Sequence, residues 1–378
     1  MSPEITPRVL VADDQAHVLM ALRLLLRQEG FEADTAGSVD EIRDRLQGAP
    51  YDLLLMDLNY DRDTTSGCEG LDLLREVHQR DPLLPVVVMT GWGSIDTAVE
   101  AMRRGARTFV QKPWENAALS RTLRREVEQG RAARRAHGHT AREQEEARAI
   151  QRALLPAPLA ALPGCDIAAR WSPASAFGGD FYDVIRLDRQ RVAISIGDVC
   201  GKGLPAALLM AHVQASTRAF AAADASPAAV ARRINRELAA RADLGRFVTF
   251  FYAVYDCSTR VLSYTNAGHN PPALVRPDGS VTRLTAGGMV LGPFEGSRYE
   301  EGAVSLGAGD RIVLFTDGMI DPADLRDQEF GDERLVDLVV RRRSQPAPAI
   351  ADAALDEVMT FAGGRLEDDA TVVAIAIG

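Results

Sequence analysis

Cysteine is scarce in this chain, with four residues in 378. Cys68, Cys165, Cys200 and Cys257 form no C-x-x-C pair and have no histidine at zinc spacing, so they read as free thiols in a reducing compartment. Long apolar runs are also missing. No stretch reaches the roughly 18 residues of a membrane span, and MSPEITPRVLVADD has neither the basic start nor the apolar core of a signal peptide. A cytoplasmic protein with no membrane partner is expected. Basic excess is lacking too: the net charge is −10, which opposes a general nucleic-acid binder. One apparent nucleotide loop fails as well. In SIGDVCGKGLPAAL (195–208) only three residues separate Gly197 from Gly201, and Gly203 stands where a P-loop needs its hydroxyl.

What is present is an ordinary globular composition, 46% apolar and 25% charged, at a length that favours two domains and a connector. The first third alternates short apolar strands (8–14, 31–36, 52–57, 85–90, 108–112) with helical stretches in which Leu19, Leu22 and Leu26 recur at three-to-four spacing. Alternating β and α predicts a doubly wound, five-stranded parallel sheet buried on both faces. Ligands bind such sheets at the carboxyl ends of the strands. There stand Asp13, Asp14, Asp57, Thr90 and Lys112. Any one Asp at a strand end is more often a turn or cap residue. Together, three carboxylates on one edge need a hard cation such as Mg²⁺, and Lys112 with Thr90 can hold a phosphoryl group.

These residues, in this order, resemble a response-regulator receiver domain over residues 1–120. The resemblance implies that Asp57 accepts phosphate from a sensor histidine kinase. It implies that Asp13 and Asp14 help bind Mg²⁺ and that Asn59 adds a backbone carbonyl to the metal. Thr90, Phe109 and Lys112 would report the phosphorylated state. NYDRDTTSGCEGLDLL, after Asp57, is longer than the usual loop and reads as a surface extension over 59–70.

A helical linker is expected over 121–155. Leu119, Leu123 and Val127 share one face, while Ala147, Ile150 and Leu154 recur at coiled-coil-like spacing, which points to a homodimer rather than a solvated spacer. Gly130 and Gly138 each cost about 1 kcal/mol of helix stability relative to Ala, so a kink or hinge is expected at 136–140. The prolines of LPAPLAALPG then end the helix.

Residues 156–378 change character. Strands follow one another through short turns, FVTFFYAVYD-CSTR-VLSYTNAG reads as a hairpin, and two helical stretches interrupt the series. An α+β layered sandwich is expected. Acidic residues fall at strand ends: Asp180 in FGGDFYD, Asp198 in SIGDVCGKG, Asp317 in LFTDGMID, and Asp368 and Asp369 in LEDDATVV. An all-carboxylate set suits Mg²⁺ or Mn²⁺, not zinc. Its four to five charges exceed what one divalent ion balances, which points to two ions and to phosphomonoester hydrolysis by an activated water. Cys200 lacks the neighbours of a phosphatase nucleophile. His269 in NAGHNPP reads as a turn residue rather than a proton donor.

FGGDFYD, GDVCGKGLPAAL, NAGHNPP, LFTDG and DDATVV together resemble the bacterial metal-dependent serine/threonine phosphatases of the PPM superfamily, in the RsbU/SpoIIE-type branch. EARAIQRALLP resembles the helix that precedes this domain. The resemblance implies that Asp198 bridges both metals, with the Val199 carbonyl also ligating. Asp180 and Asp317 would complete the pair, with Asp368 as ligand and Asp369 as its support. Asp321 stands where relatives more often carry Glu, and the phosphate-binding arginine of animal and plant members has no counterpart. The implied function is a phosphorylation-regulated protein phosphatase in two-component signalling. Its implied substrate is a phosphorylated STAS-type anti-sigma-factor antagonist. A non-catalytic adaptor that captures a partner is the rival, and it has no need of four acidic ligands.

Overall fold

The computed structural model describes residues 6–60, 68–91, 95–156, 164–223, 226–240, 245–324 and 326–378. Most of the loop expected over 59–70 lies outside the described residues, as does most of the proline segment after the linker helix. The chain divides into two compact bodies, Met1–Glu143 and Gln144–Gly378.

In the first body β1 (Arg8–Ala12), β2 (Glu32–Ala36), β3 (Leu53–Asp57), β4 (Val86–Thr90) and β5 (Thr108–Gln111) form a parallel sheet in the order β2-β1-β3-β4-β5. The helices are α1 (Ala16–Gln28), α2 (Val39–Gly48), α3 (Cys68–Arg80), α4 (Ile95–Arg103) and the start of α5 (Asn116–Leu154). Successive strand side chains point to opposite faces. Val9, Val11, Leu53 and Leu55 therefore meet Leu22 and Leu26 of α1 and Leu119, Leu123 and Val127 of α5. On the other face Leu10, Leu54 and Met56 meet Ile42 of α2 and Leu74 and Val77 of α3. Apart from their terminal residues Arg8, Asp57 and Thr90, β1, β3 and β4 are apolar because both faces are covered.

The linker carries both of its glycines inside one helix. α5 is one 39-residue helix, continuous through 136–140. Gly130 is there for space: a Cβ would lie 2.5 Å from the Pro85 ring, at the entry to β4. Arg131 then pairs with Asp52 at 2.8 Å and Arg134 with Asp81 at 2.6 Å, holding the helix to the first body. Close approach, not flexibility, accounts for that glycine.

The second body has two sheets. One is built from β7 (Phe181–Arg186), β8 (Arg191–Val199), β9 (Val248–Asp256), β10 (Val261–Ala267), β13 (Gly287–Gly288) and β14 (Gly302–Ser305), in the order β13-β10-β9-β8-β7 with β14 also paired to β10. The other contains β6 (Cys165–Ser172), β11 (Ala273–Val275), β12 (Val281–Arg283), β15 (Arg311–Phe315) and β16 (Ala370–Ile377), in the order β12-β11-β15-β16-β6. The expected β9–β10 hairpin is present, and its turn places Arg260 at φ 57°.

Val192, Ile194 and Ile196 of β8 interdigitate with Ile312, Val373 and Ile375 across the gap between the sheets. Against the outer faces lie α6 (Leu204–Ala223) and α7 (Pro227–Ala239) on one side. On the other lie α8 (Asp332–Arg341) and α9 (Ala347–Phe361). The result is four layers, helices–sheet–sheet–helices, with every acidic motif at a strand end.

Candidate metal centres

At the carboxyl edge of the parallel sheet, Asp13, Asp14 and Asp57 bring carboxylate oxygens within 4.8 Å of one another. Lys112 Nζ donates to Asp13 Oδ2 and to Asp57 Oδ2, both at 2.6 Å. Burial alone would lower the Lys112 pKa, yet these two bonds raise it. Asp57 Oδ1 accepts from the Leu58 amide at 2.7 Å and the Asn59 amide at 3.4 Å. Thr90 closes β4 beside them, its hydroxyl turned to the Gly91 carbonyl at 3.3 Å. Phe109, on β5, is 50% exposed. The expected residues thus share one edge, with Phe109 on the surface.

In the second body, antiparallel pairing of Phe181 with Gly197 sets Asp180 and Asp198 at the same end of β7 and β8. Asp317 opens a short 3-10 turn after β15, and Asp368 precedes β16, the strand that pairs with β15. Asp180 is 1% exposed. Its Oδ2 accepts from Thr316 Oγ1 at 2.7 Å and Thr371 Oγ1 at 2.6 Å, while Oδ1 is buried with no hydrogen-bond partner. No acidic motif singles out these threonines, although each lies within three residues of an acidic motif residue, where a hydroxyl can serve as an orienting donor.

Burial and then the Asp198 charge push the Asp180 carboxyl well above the carboxylate range, against the two threonine bonds. Asp198 is raised to about 7 by burial, then by Asp317 and Asp368. Asp317 is raised by burial and by Asp321 and Asp368, and Asp321 by burial, Glu329 and Asp368. So many crowded carboxyls are stable together only if they take up protons or cations.

The two acids of the DD pair separate in role. Asp368 forms an ion pair with Lys202 at 3.1 Å. Asp369 is buried and accepts from the Ala174 amide at 2.8 Å and the Gly179 amide at 2.6 Å. It fastens the loop before Asp180. The second acid of FGGDFYD, Asp183, is held by Arg218 at 2.6 Å and takes no part in the cluster. The loop behind Asp198 turns at Gly201 (φ 98°) and Gly203 (φ 79°), a backbone region that favours glycine. Arg246 holds its Cys200 carbonyl at 2.7 Å, and Lys202 Nζ reaches the Glu367 carbonyl at 2.6 Å. His269 is buried with Nδ1 2.8 Å from Thr249 Oγ1, and Asn266 bonds both its amide and its carbonyl, as a turn residue requires.

Do these groups fit divalent cations? Asp180 Oδ1 is a buried acceptor without a donor, next to a second carboxyl, in an all-oxygen set. A Cβ at Gly179 would lie 2.9 Å from the Val199 carbonyl, so glycine keeps that oxygen open. Among the described residues no three carboxyls of this body close within 4.8 Å as the three of the first body do. Asp180, Asp368 and Asp369 each lean toward their own donors, and a set spread over two ions need not converge on one point. The residues fit. Beside them an open groove of about 830 Å³ is lined by Lys202, Asp321, Asp324, Arg365 and Glu367 among others.

A parallel five-stranded receiver sheet, joined to a four-layer sandwich with carboxylates at its strand ends, defines a response regulator with a PP2C-type output domain. Residues 188–378 match the family model for stage II sporulation protein E (SpoIIE), and 9–124 match the response regulator receiver domain. The chain belongs to the SpoIIE family and carries a receiver domain. It is 30% identical over 229 residues to phosphoserine phosphatase RsbU of Bacillus subtilis, covering 60% of this chain and 67% of that protein. It is 29% identical over 261 residues to protein IcfG of Synechocystis, covering 62% of this chain and only 41% of that longer protein. The SiaA-PP2C domain of Pseudomonas aeruginosa superposes with a TM-score of 0.58 at 25% identity, covering 64% of this chain and 99% of that one.

Proposed function

We propose that the protein is a metal-dependent serine/threonine protein phosphatase whose activity depends on phosphorylation of its receiver at Asp57. The observation that carries this reading is the buried Asp180 carboxylate, oriented by two threonines with one oxygen left without a donor, facing Asp198. Asp198, with the Val199 carbonyl, would be shared by two Mn²⁺ or Mg²⁺ ions, with Asp180, Asp317 and Asp368 completing the set. Asp13, Asp14, Asp57 and the Asn59 carbonyl would hold Mg²⁺ in the receiver. Bound in the sandwich, the cations supply polarisation of a phosphoryl oxygen and a nucleophile drawn from water.

The chain's own residues do the rest. Thr316 and Thr371 fix one oxygen of Asp180, Asp369 pins the loop before it, and Lys202 holds Asp368 and lines the groove where a phosphorylated segment would enter. Likeness to phosphoserine phosphatase RsbU favours a phosphoserine or phosphothreonine substrate, and the partner proposed is a phosphorylated STAS-type anti-sigma-factor antagonist. A sensor histidine kinase would supply the phosphoryl group to Asp57, and the linker helix would pair two copies.

Purified protein with Mn²⁺ and a phosphoserine STAS protein is expected to release inorganic phosphate, with release abolished by chelator. Asp180→Ala should lower the rate at least ~100-fold, at or beyond the loss that follows removal of an outer-shell partner of a metal. Tight binding of the phosphoprotein with no turnover would instead establish the adaptor reading.

A further inference from the structure

The segment Phe177–Asp180 is held from three directions. Asp369 takes the Gly179 amide, and Trp171 Nε1 donates to the Asp180 carbonyl at 3.2 Å. The third hold comes from the last turn of α5. There Gln151, 5% exposed, donates through Nε2 to the Gly178 carbonyl at 2.7 Å and accepts through Oε1 from the Gly178 amide at 3.2 Å. One side-chain amide satisfies both backbone groups of a single residue, two positions before Asp180. The helix end is itself anchored, because the Leu154 carbonyl accepts from Gln214 Nε2 at 2.9 Å and Arg218 Nη2 at 3.3 Å.

A glutamine in this place does more than fill space. Gly178 and Gly179 have no side chains with which to fix their own backbone, and glycine is the residue with most freedom to lose. The tolerance is small, since Val199 O and the Asp198 carboxyl lie within 3.4 Å of where a Cβ on Gly179 would sit. An apolar residue at 151 would leave the Gly178 amide and carbonyl buried without partners. The loop would then be free to shift, and Asp180 with it.

We propose that Gln151 is a positioning residue for the metal centre. By clamping Gly178 it sets the Asp180 carboxylate and thereby the cation affinity of the sandwich, without touching the ion. This rests on the reading of Asp180 as a ligand.

The test uses the full chain with the receiver site silenced by Asp13→Ala and Asp57→Ala, and follows Mn²⁺ binding by calorimetry beside the metal-free melting curve. Gln151→Met keeps length and loses both hydrogen bonds. Gln151→Glu keeps an acceptor for the Gly178 amide and loses the donor, and it serves if the first variant does not fold. Mn²⁺ affinity is expected to fall about 10-fold or more in the Met variant, within the range for outer-shell partners, and less in the Glu variant. Turnover should return to within about 3-fold of the parent at saturating Mn²⁺. Melting that drops while the folded variants bind Mn²⁺ as the parent does would overturn the proposal. If Asp180→Ala also binds like the parent, the ligand assignment fails first. If Asp180→Ala loses binding and the Gln151 variants keep it, this inference alone fails.

Discussion

His269 shows how one residue's surroundings decide its chemistry. A histidine between two turn residues near an acidic site invites a proton-transfer role, but burial pushes its pKa down to about 4, only partly offset by the Phe315 backbone. It is therefore neutral in the folded protein at neutral pH. The unfolded chain binds a proton near pH 6.5, where the folded one does not until about 4, so this residue's contribution to stability falls as pH drops through that window. The loss amounts to roughly 3 kcal/mol. Raised carboxyls such as Asp198 act with opposite sign, since they favour the folded state at low pH and lose that contribution as pH rises. Comparison with His269→Gln separates the two. Denaturant midpoints of the parent minus the variant should decline from pH 7 to pH 4. A constant difference would mean that His269 takes up its proton at the same pH folded as unfolded, so that burial does not hold it neutral.

At the scale of elements, α5 is the informative one. Helix propensity makes Ala better than Gly by about 1 kcal/mol in a helix interior, so Gly130→Ala would be expected to stabilise an isolated helix. Here the new methyl would stand 2.5 Å from the rigid Pro85 ring. Overpacking of this kind costs about 1–3 kcal/mol, and the net effect should be a lower melting temperature for the receiver body. Gly138 has nothing within 4 Å of a Cβ, so Gly138→Ala should raise stability or leave it unchanged. The pair distinguishes a glycine needed for contact from one that is only tolerated. The same helix presents Ile150 64% exposed and Gln151 buried. Heptad-like spacing of Ala147, Ile150 and Leu154 was legible in the chain, while the direction each side chain takes was not.

For the whole molecule, two acidic sites on one chain predict a readable separation and a readable link. Asp57→Ala should remove labelling by a small phosphodonor with Mg²⁺ while Mn²⁺ still binds the sandwich. If the receiver controls the phosphatase, a phosphoryl mimic bound at Asp57 should change turnover at least about 3-fold in the parent and not at all in Asp57→Ala. Equal rates in every state would discard that control. Among the described residues no helix is long and apolar enough to cross a membrane, in keeping with the lack of apolar runs.

Much of this protein is decided by local pattern. Alternating strands and helices imply the parallel sheet, and its strand-end residues Asp13, Asp57 and Lys112 meet because that topology leaves them no other edge. The β9–β10 hairpin and the acidic strand ends are local in the same sense. Tertiary structure alone decided which neighbour each polar group would find. Asp368 and Asp369 are adjacent in sequence, yet successive residues point apart near a strand, so one meets Lys202 and the other the Gly179 amide. Thr316, Thr371 and Gln151 reach Asp180 or its loop from 27 to 191 residues away, and no spacing rule spans such distances. Hydrogen bonds act over about 3 Å, so which groups share one is settled only when the layers close.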